Sequence, residues 1–185
     1  GTRTMASRRL GTIGSIGLAL LGSCASLASA ETSGVSATGF VVTHRFDTTV
    51  SAKDVFDALH KPALWWSSDH TWSGDARNLR LQPAAGGCFC ERWGANSVKH
   101  GEVIFVMPDS LLRLRASLGP LQALAVDGIL SFAVKRDAGK TTVTVTYRVA
   151  GNPEAQLASI AEPVDRVIGE QVARLARYVE KGRPG

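Results

Sequence analysis

Between residues 154 and 181, apolar residues recur at steps of three and four: Leu157, Ile160, Ala161, Val164, Val167, Ile168, Val172, Leu175 and Val179. This spacing predicts one long helix with a single wide apolar face. The opposite face carries Glu162, Asp165, Arg166, Glu170, Arg174 and Lys181. So charged an outer face does not suit a membrane span. The helix must instead bury its stripe against another layer, and the rest of the chain has to supply that layer.

The upstream sequence supplies strands. Residues 39–47 (GFVVTHRFD) are rich in β-branched and aromatic residues, with Val42, His44 and Phe46 on one face. Ser51, three residues before Asp54, is placed to cap a helix whose stripe is Val55, Phe56 and Leu59, and Pro62 ends or restarts it. An aromatic-rich segment, 63–74, follows. Strands are then expected at 78–82, 87–94, 97–107, 110–117, 128–136 and 140–150, mostly separated by Gly, Pro, Asn or Asp turn signals. Neighbours joined by short connections pair antiparallel. The last strand alternates cleanly, with Val143, Val145, Tyr147 and Val149 inward. The expected fold class is α+β: a curved antiparallel sheet of about six to seven strands around a long C-terminal helix, with one or two short helices after the first strand. Such a sheet can leave a cavity between itself and the helix.

The N-terminal region follows a different logic. Met5 and the basic Arg8-Arg9 precede an apolar or small-residue stretch from Leu10 to Leu21, and Ala28-Ser29-Ala30 fits a small-x-small cleavage site. This is the pattern of a secretory signal peptide over residues 1–30. Gly1 to Thr4 precede Met5 and are expected not to be native. Leu21-Gly22-Ser23-Cys24 also resembles a lipobox, so a lipoprotein anchored through Cys24 is the alternative to simple secretion or periplasmic export. Residues 31–37 read as a linker and 38–182 as one domain. Without Arg3, Arg8 and Arg9, the 21 basic residues fall to 18 against 16 acidic ones, a formal +2. No basic run marks a nucleic-acid footprint. Only Cys88 and Cys90 remain beyond the leader, too few for a disulfide scaffold.

The order of elements, and the strings VSAKDVFDALHKPALWW, GGCFCERW, HGEVIFVMPDSLLRLRASLGPLQ and GKTTVTVTYRVAG, resemble the START-like or SRPBCC superfamily with its Bet v 1-like helix-grip fold. Within it, the chain resembles bacterial polyketide cyclase-like and Hsp90 ATPase activator-like proteins. The resemblance covers residues 38–181. It implies the fold but not one function, because the superfamily includes lipid carriers, hormone binders, cyclases and chaperone regulators. An exported chain would not meet a cytosolic chaperone, so the chaperone-activator role is set aside.

In GGCFCERW, residues 86–93, strand alternation puts Phe89, Glu91 and Trp93 on one face and Cys88, Cys90 and Arg92 on the other. Phe89 and Trp93 favour the core, so Glu91 is expected inward and the cysteines outward. Strand residues two apart lie roughly 6.6 Å apart, which disfavours an intrastrand bridge; free thiols are expected. The pair lacks the C-x-x-C spacing and a neighbouring His of a metal site. No metal or cofactor is expected. Glu91 has two readings. Among aromatics its pKa is expected to be raised, making it a ligand anchor or an acid/base; or it pairs structurally with Arg80 or Arg113. His44 or Tyr147 are the candidate assistants. Trp65, Trp66 and Trp72 line a cavity mouth or simply pack in the core, His70 is a gate or a solvated loop residue, and His100 lies on a strand.

The leading expectation is an exported binder of a small apolar or amphipathic molecule, lined by Phe89, Glu91, Trp93, Phe105, Leu114, Phe132, Tyr147, Leu157 and Val164, with a few polar anchors. The alternatives are a cyclase- or dehydratase-type enzyme using Glu91, and a non-enzymatic envelope module that binds partners through the outer face of the sheet.

Overall fold

The computed structural model describes residues 1, 2 and 29–185. The signal-peptide and lipobox readings lie almost wholly outside the described residues. Eight strands form one sheet: β1 (Ser29–Ser36), β2 (Gly39–Thr48), β3 (Leu79–Leu81), β4 (Cys88–Trp93), β5 (Asn96–Met107), β6 (Leu111–Arg115), β7 (Asp127–Asp137) and β8 (Lys140–Ala150). Helix α1 (Ala52–Leu59) follows β2, and α2 (Ala161–Lys181) ends the fold. The strand order is β1-β2-β8-β7-β6-β5-β4-β3, and every pair is antiparallel. Strands β3 to β8 thus form a meander, and β2 joins it beside β8. Among the described residues no helix is long and apolar enough to cross a membrane.

The alternation expected of β8 holds: Val143, Val145, Tyr147 and Val149 are all buried. Its partner β2 buries Phe40, Val42 and Phe46 from the same side. Ser51 caps α1, accepting from the Asp54 N–H at 3.1 Å and donating to the Asp54 carboxylate at 2.7 Å. Val55, Phe56 and Leu59 go into the core as their spacing predicts. Pro62 opens a short 3-10 turn, Pro62–Leu64, that leads into the aromatic segment.

Two boundaries differ from expectation. The stretch expected as a linker lies largely in β1, an exposed edge strand paired to β2. The long helix begins at Ala161, not 154. Two 3-10 turns, Pro153–Ala155 and Leu157–Ser159, replace its first turns because Gln156 sits between them with φ 50°, a left-handed conformation that interrupts a helix. From Ala161 onward the stripe behaves as its spacing predicts. Ile168, Val172 and Leu175 are buried, while Val164, Val167 and Val179 are half-buried.

Candidate functional site

The site grows out of a break in strand pairing. Along β4 and β5, Phe89 faces Gly101, but the next residue, Cys90, faces Lys99. His100 is therefore an extra residue in β5, the mark of a β-bulge. It turns inward beside Gly101, so two successive residues of one strand are buried. Gly101 permits this: a Cβ there would stand 2.7 Å from that of Ala116 and 2.9 Å from the Arg115 carbonyl oxygen. The His100 ring lies 5.1 Å from that of Phe89, which stands edge-on to Trp66 at 5.6 Å.

Glu91 points inward as expected and is fully buried. Its partners are neither Arg80 nor Arg113. Its carboxylate accepts from the backbone N–H groups of Trp72 at 3.1 Å and Ser73 at 2.5 Å, and bonds His100 Nε2 at 2.9 Å. Arg80 donates instead to the carbonyls of Arg77 and Leu79, and Arg113 to the Ser131 hydroxyl. Burial pushes the Glu91 carboxyl up, but hydrogen bonds from Ser73, Trp72 and His100 outweigh it and leave the group below its ordinary value. The expected upward shift is thereby corrected. Burial holds His100 below the ordinary imidazole value, against the pull of Glu91.

Glu91 thus clamps one side of the segment between α1 and β3. Helix α2 clamps the other. The Gln171 side-chain oxygen accepts from the Ser67 N–H at 2.7 Å, Arg174 donates to the Trp65 carbonyl at 2.9 Å, and His70 Nε2 meets Glu170 at 2.9 Å. Trp65 and Trp66 are buried in the core, whereas Trp72 is half exposed.

Between this segment, α2 and the sheet lies a cavity of about 410 Å³. Trp66, Asp69, His70, Thr71 and Trp72 form one wall. Pro163, Val164, Val167 and Ile168 of α2, with the preceding Ile160, form a second. Leu118–Leu121 and Leu124 form a third, and the sheet contributes His100 and Tyr147. Tyr147 donates to the Ala116 carbonyl at 2.9 Å and accepts from the Leu118 N–H at 3.1 Å. Burial pushes its phenol well up. Its hydroxyl therefore holds the third wall and does not reach Glu91. A more open, more polar cleft of about 480 Å³ lies alongside, lined by Lys99, Arg115, Ser117, Gln122 and Asp127 among others. His100 is the one residue common to both linings.

Of the expected lining residues, Tyr147 and Val164 reach the larger apolar cavity. Phe89, Leu114 and Leu157 are buried in the core, and Glu91 stands behind the aromatic segment. Phe132 borders a void of about 10 Å³ instead. Trp93 is half-buried away from the cavity. Phe105 turns outward and is 45% exposed beneath Arg113, because a second bulge leaves Ile104 unmatched in β5 and reverses the strand's facing. With Ile104 and Met107 it leaves apolar surface on the outer face. His44 stays at the β2–α2 contact, 2.8 Å from Asp165, and does not meet Glu91. The histidine that does is His100, and its sequence signal was the glycine after it within a strand.

Cys88 and Cys90 are joined as a disulfide, where free thiols were expected. The register slip between Phe89 and Cys90 accompanies a Cα separation of 5.4 Å, within disulfide range. Among the described residues no group of three or more His, Cys, Asp or Glu side chains gathers as metal ligands do.

No family model matches the chain, and no curated protein matches it significantly. Solved structures do match. CalU16 from Micromonospora echinospora aligns at TM-score 0.53 and 12% identity over 87% of this chain and 86% of that one. DynU16, from the dynemicin biosynthetic locus, aligns at TM-score 0.56 and 23% identity over 78% of this chain, which spans only 48% of DynU16. The Aha1 dimer from Colwellia psychrerythraea aligns at TM-score 0.53 and 16% identity over 77% of this chain and 97% of that one. Identities this low carry fold and not chemistry. What these structures share with the chain is the fold, an antiparallel sheet packed around a long C-terminal helix.

Proposed function

We propose that this protein binds a small hydrophobic or amphipathic molecule in the cavity between α2 and the sheet. The observation that carries the reading is the cavity itself. Its volume of about 410 Å³ lies in the range of ligand sites, and its walls are mostly apolar with a few polar groups. An apolar face left open in this way is a poor use of burial unless something fills it. Export to the periplasm or medium is part of the proposal and rests on the leader pattern of residues 1–30 alone.

Native mass spectrometry of the protein purified from its own host tests the reading. The expected result is a bound mass, released on denaturation, that an apolar dye displaces. Protein that is free of ligand and takes up no dye would remove the support.

The enzyme reading keeps one supporting observation: His100 borders the cavity and is bonded to Glu91. In that reading His100 transfers the proton and Glu91 positions it, since the carboxylate is enclosed and already accepts three hydrogen bonds. Turnover of a cyclisation or dehydration substrate, lost in His100→Gln with binding retained, is the outcome that would favour it over binding alone.

A further inference from the structure

Resting on the cavity reading, we propose that His100, oriented by Glu91, is a hydrogen-bond acceptor that selects ligands carrying an O–H donor, such as phenols and alcohols. The polarity of the ring follows from its partner. A carboxylate that already accepts from two backbone N–H groups is anionic and can only accept. The proton of the Glu91–His100 bond therefore sits on His100 Nε2, and in the neutral ring Nδ1 carries the lone pair.

Nδ1 is free to use that lone pair. No group in the described residues bonds it, and no buried side-chain nitrogen or oxygen among them is left without a partner. Nδ1 therefore reaches open space, and His100 lines both the apolar cavity and the polar cleft beside it. The bulge that inserts His100 into β5 fixes the ring against Phe89, and Glu91 fixes its tilt. An acceptor held this way, at the edge of an apolar cavity, discriminates between ligands that enter it. A ligand O–H satisfies it, an ether leaves it unpaired, and a carboxylate brings two more acceptors and a charge toward Glu91. His70, the other histidine on the wall, sits at the exposed rim and is bonded to a half-exposed Glu170. It lacks the enclosure that makes an unpaired acceptor costly.

The test uses the folded chain and three probes of one shape: naphthol, its methyl ether and naphthoate, titrated by calorimetry. Naphthol is expected to bind about tenfold more tightly than the ether, the worth of one good hydrogen bond, and naphthoate more weakly than naphthol. His100→Phe is expected to bring naphthol and ether to equal affinity, and His100→Gln, which can present an acceptor oxygen, to restore part of the difference. Equal binding of naphthol and ether by the unmodified protein overturns the inference while leaving the cavity reading standing. A naphthol preference that survives His100→Phe overturns it too, and assigns the acceptor to Asp69 or His70. Absence of binding by all three probes removes the cavity reading and this inference together. Should His100→Phe not fold, nitrogen NMR of the unmodified protein decides. The Nδ1 resonance must move on adding naphthol and stay in place on adding the ether; a resonance that ignores naphthol contradicts the assignment.

Discussion

The two halves of the α2–sheet contact are made of similar residues and end differently. Toward the C-terminal half, Ile168, Val172 and Leu175 meet Trp65, Leu130, Phe132 and Val145 around a void of about 10 Å³, room for no more than about one water. Toward the N-terminal half, Val164 and Val167 face about 410 Å³ of open cavity. The helix does not make the difference, because its stripe is continuous. The opposing layer does. Two tryptophans fill the first half, while the second is walled by segments tied back by polar clamps: Glu91 and the α2 side chains on one, Tyr147 on the other. A helix stripe specifies that burial is needed; the loops decide whether protein fills the space or leaves it open.

That contrast can be broken most sharply at its clamp. Glu91→Ala leaves the Trp72 and Ser73 N–H groups and His100 without their partner. The expected loss is about 3–5 kcal/mol in urea unfolding, with faster amide exchange at residues 72 and 73. A loss below about 1 kcal/mol would show that the aromatic segment does not depend on Glu91. In the filled half, Leu175→Ala should cost about 2–5 kcal/mol, since nothing can collapse into the space left behind. The same experiment on Val167→Ala, in the open half, should cost less than about 1 kcal/mol. Equal costs at 167 and 175 would erase the distinction between the halves.

The dependence on pH sharpens the same picture. His100 and Glu91 both lie below their ordinary values of 6.5 and 4.5 in the fold, so the unfolded chain takes up protons first as pH falls. The stability His100 contributes is fully present above 6.5 and declines as pH falls below it; that of Glu91 declines only below 4.5. Thermal midpoints should therefore drop as pH falls below 6.5, and drop less in His100→Gln. An identical drop in the variant would assign the effect to other groups. This is a smaller change than the loss of the clamp.

Regular periodicity was legible from the residues, and its interruptions were not. The β8 alternation, the Ser51 cap, the α2 stripe and the inward turn of Glu91 all follow from local spacing and appear in the fold as expected. Three of the misplacements come from single-residue events. Gln156 in a left-handed conformation delays α2, the bulge at Ile104 turns Phe105 out, and the bulge at His100 turns that residue in. A bulge shifts every later side chain to the other face, so one extra residue is enough to misassign a lining. The backbone partners of Glu91 were beyond reach for another reason: they lie 18 and 19 residues away, on a loop whose course depends on the finished fold.

The most direct test is dye binding by a cavity-filled variant. Val164→Trp places a bulky ring into the space that Val164 borders, without touching the packed half. The unmodified protein should bind an apolar fluorophore saturably. The variant should keep its thermal midpoint and lose that binding. Equal dye binding by both proteins, with both folded, would contradict the cavity as the binding site and move the search to the apolar outer face around Ile104, Phe105 and Met107.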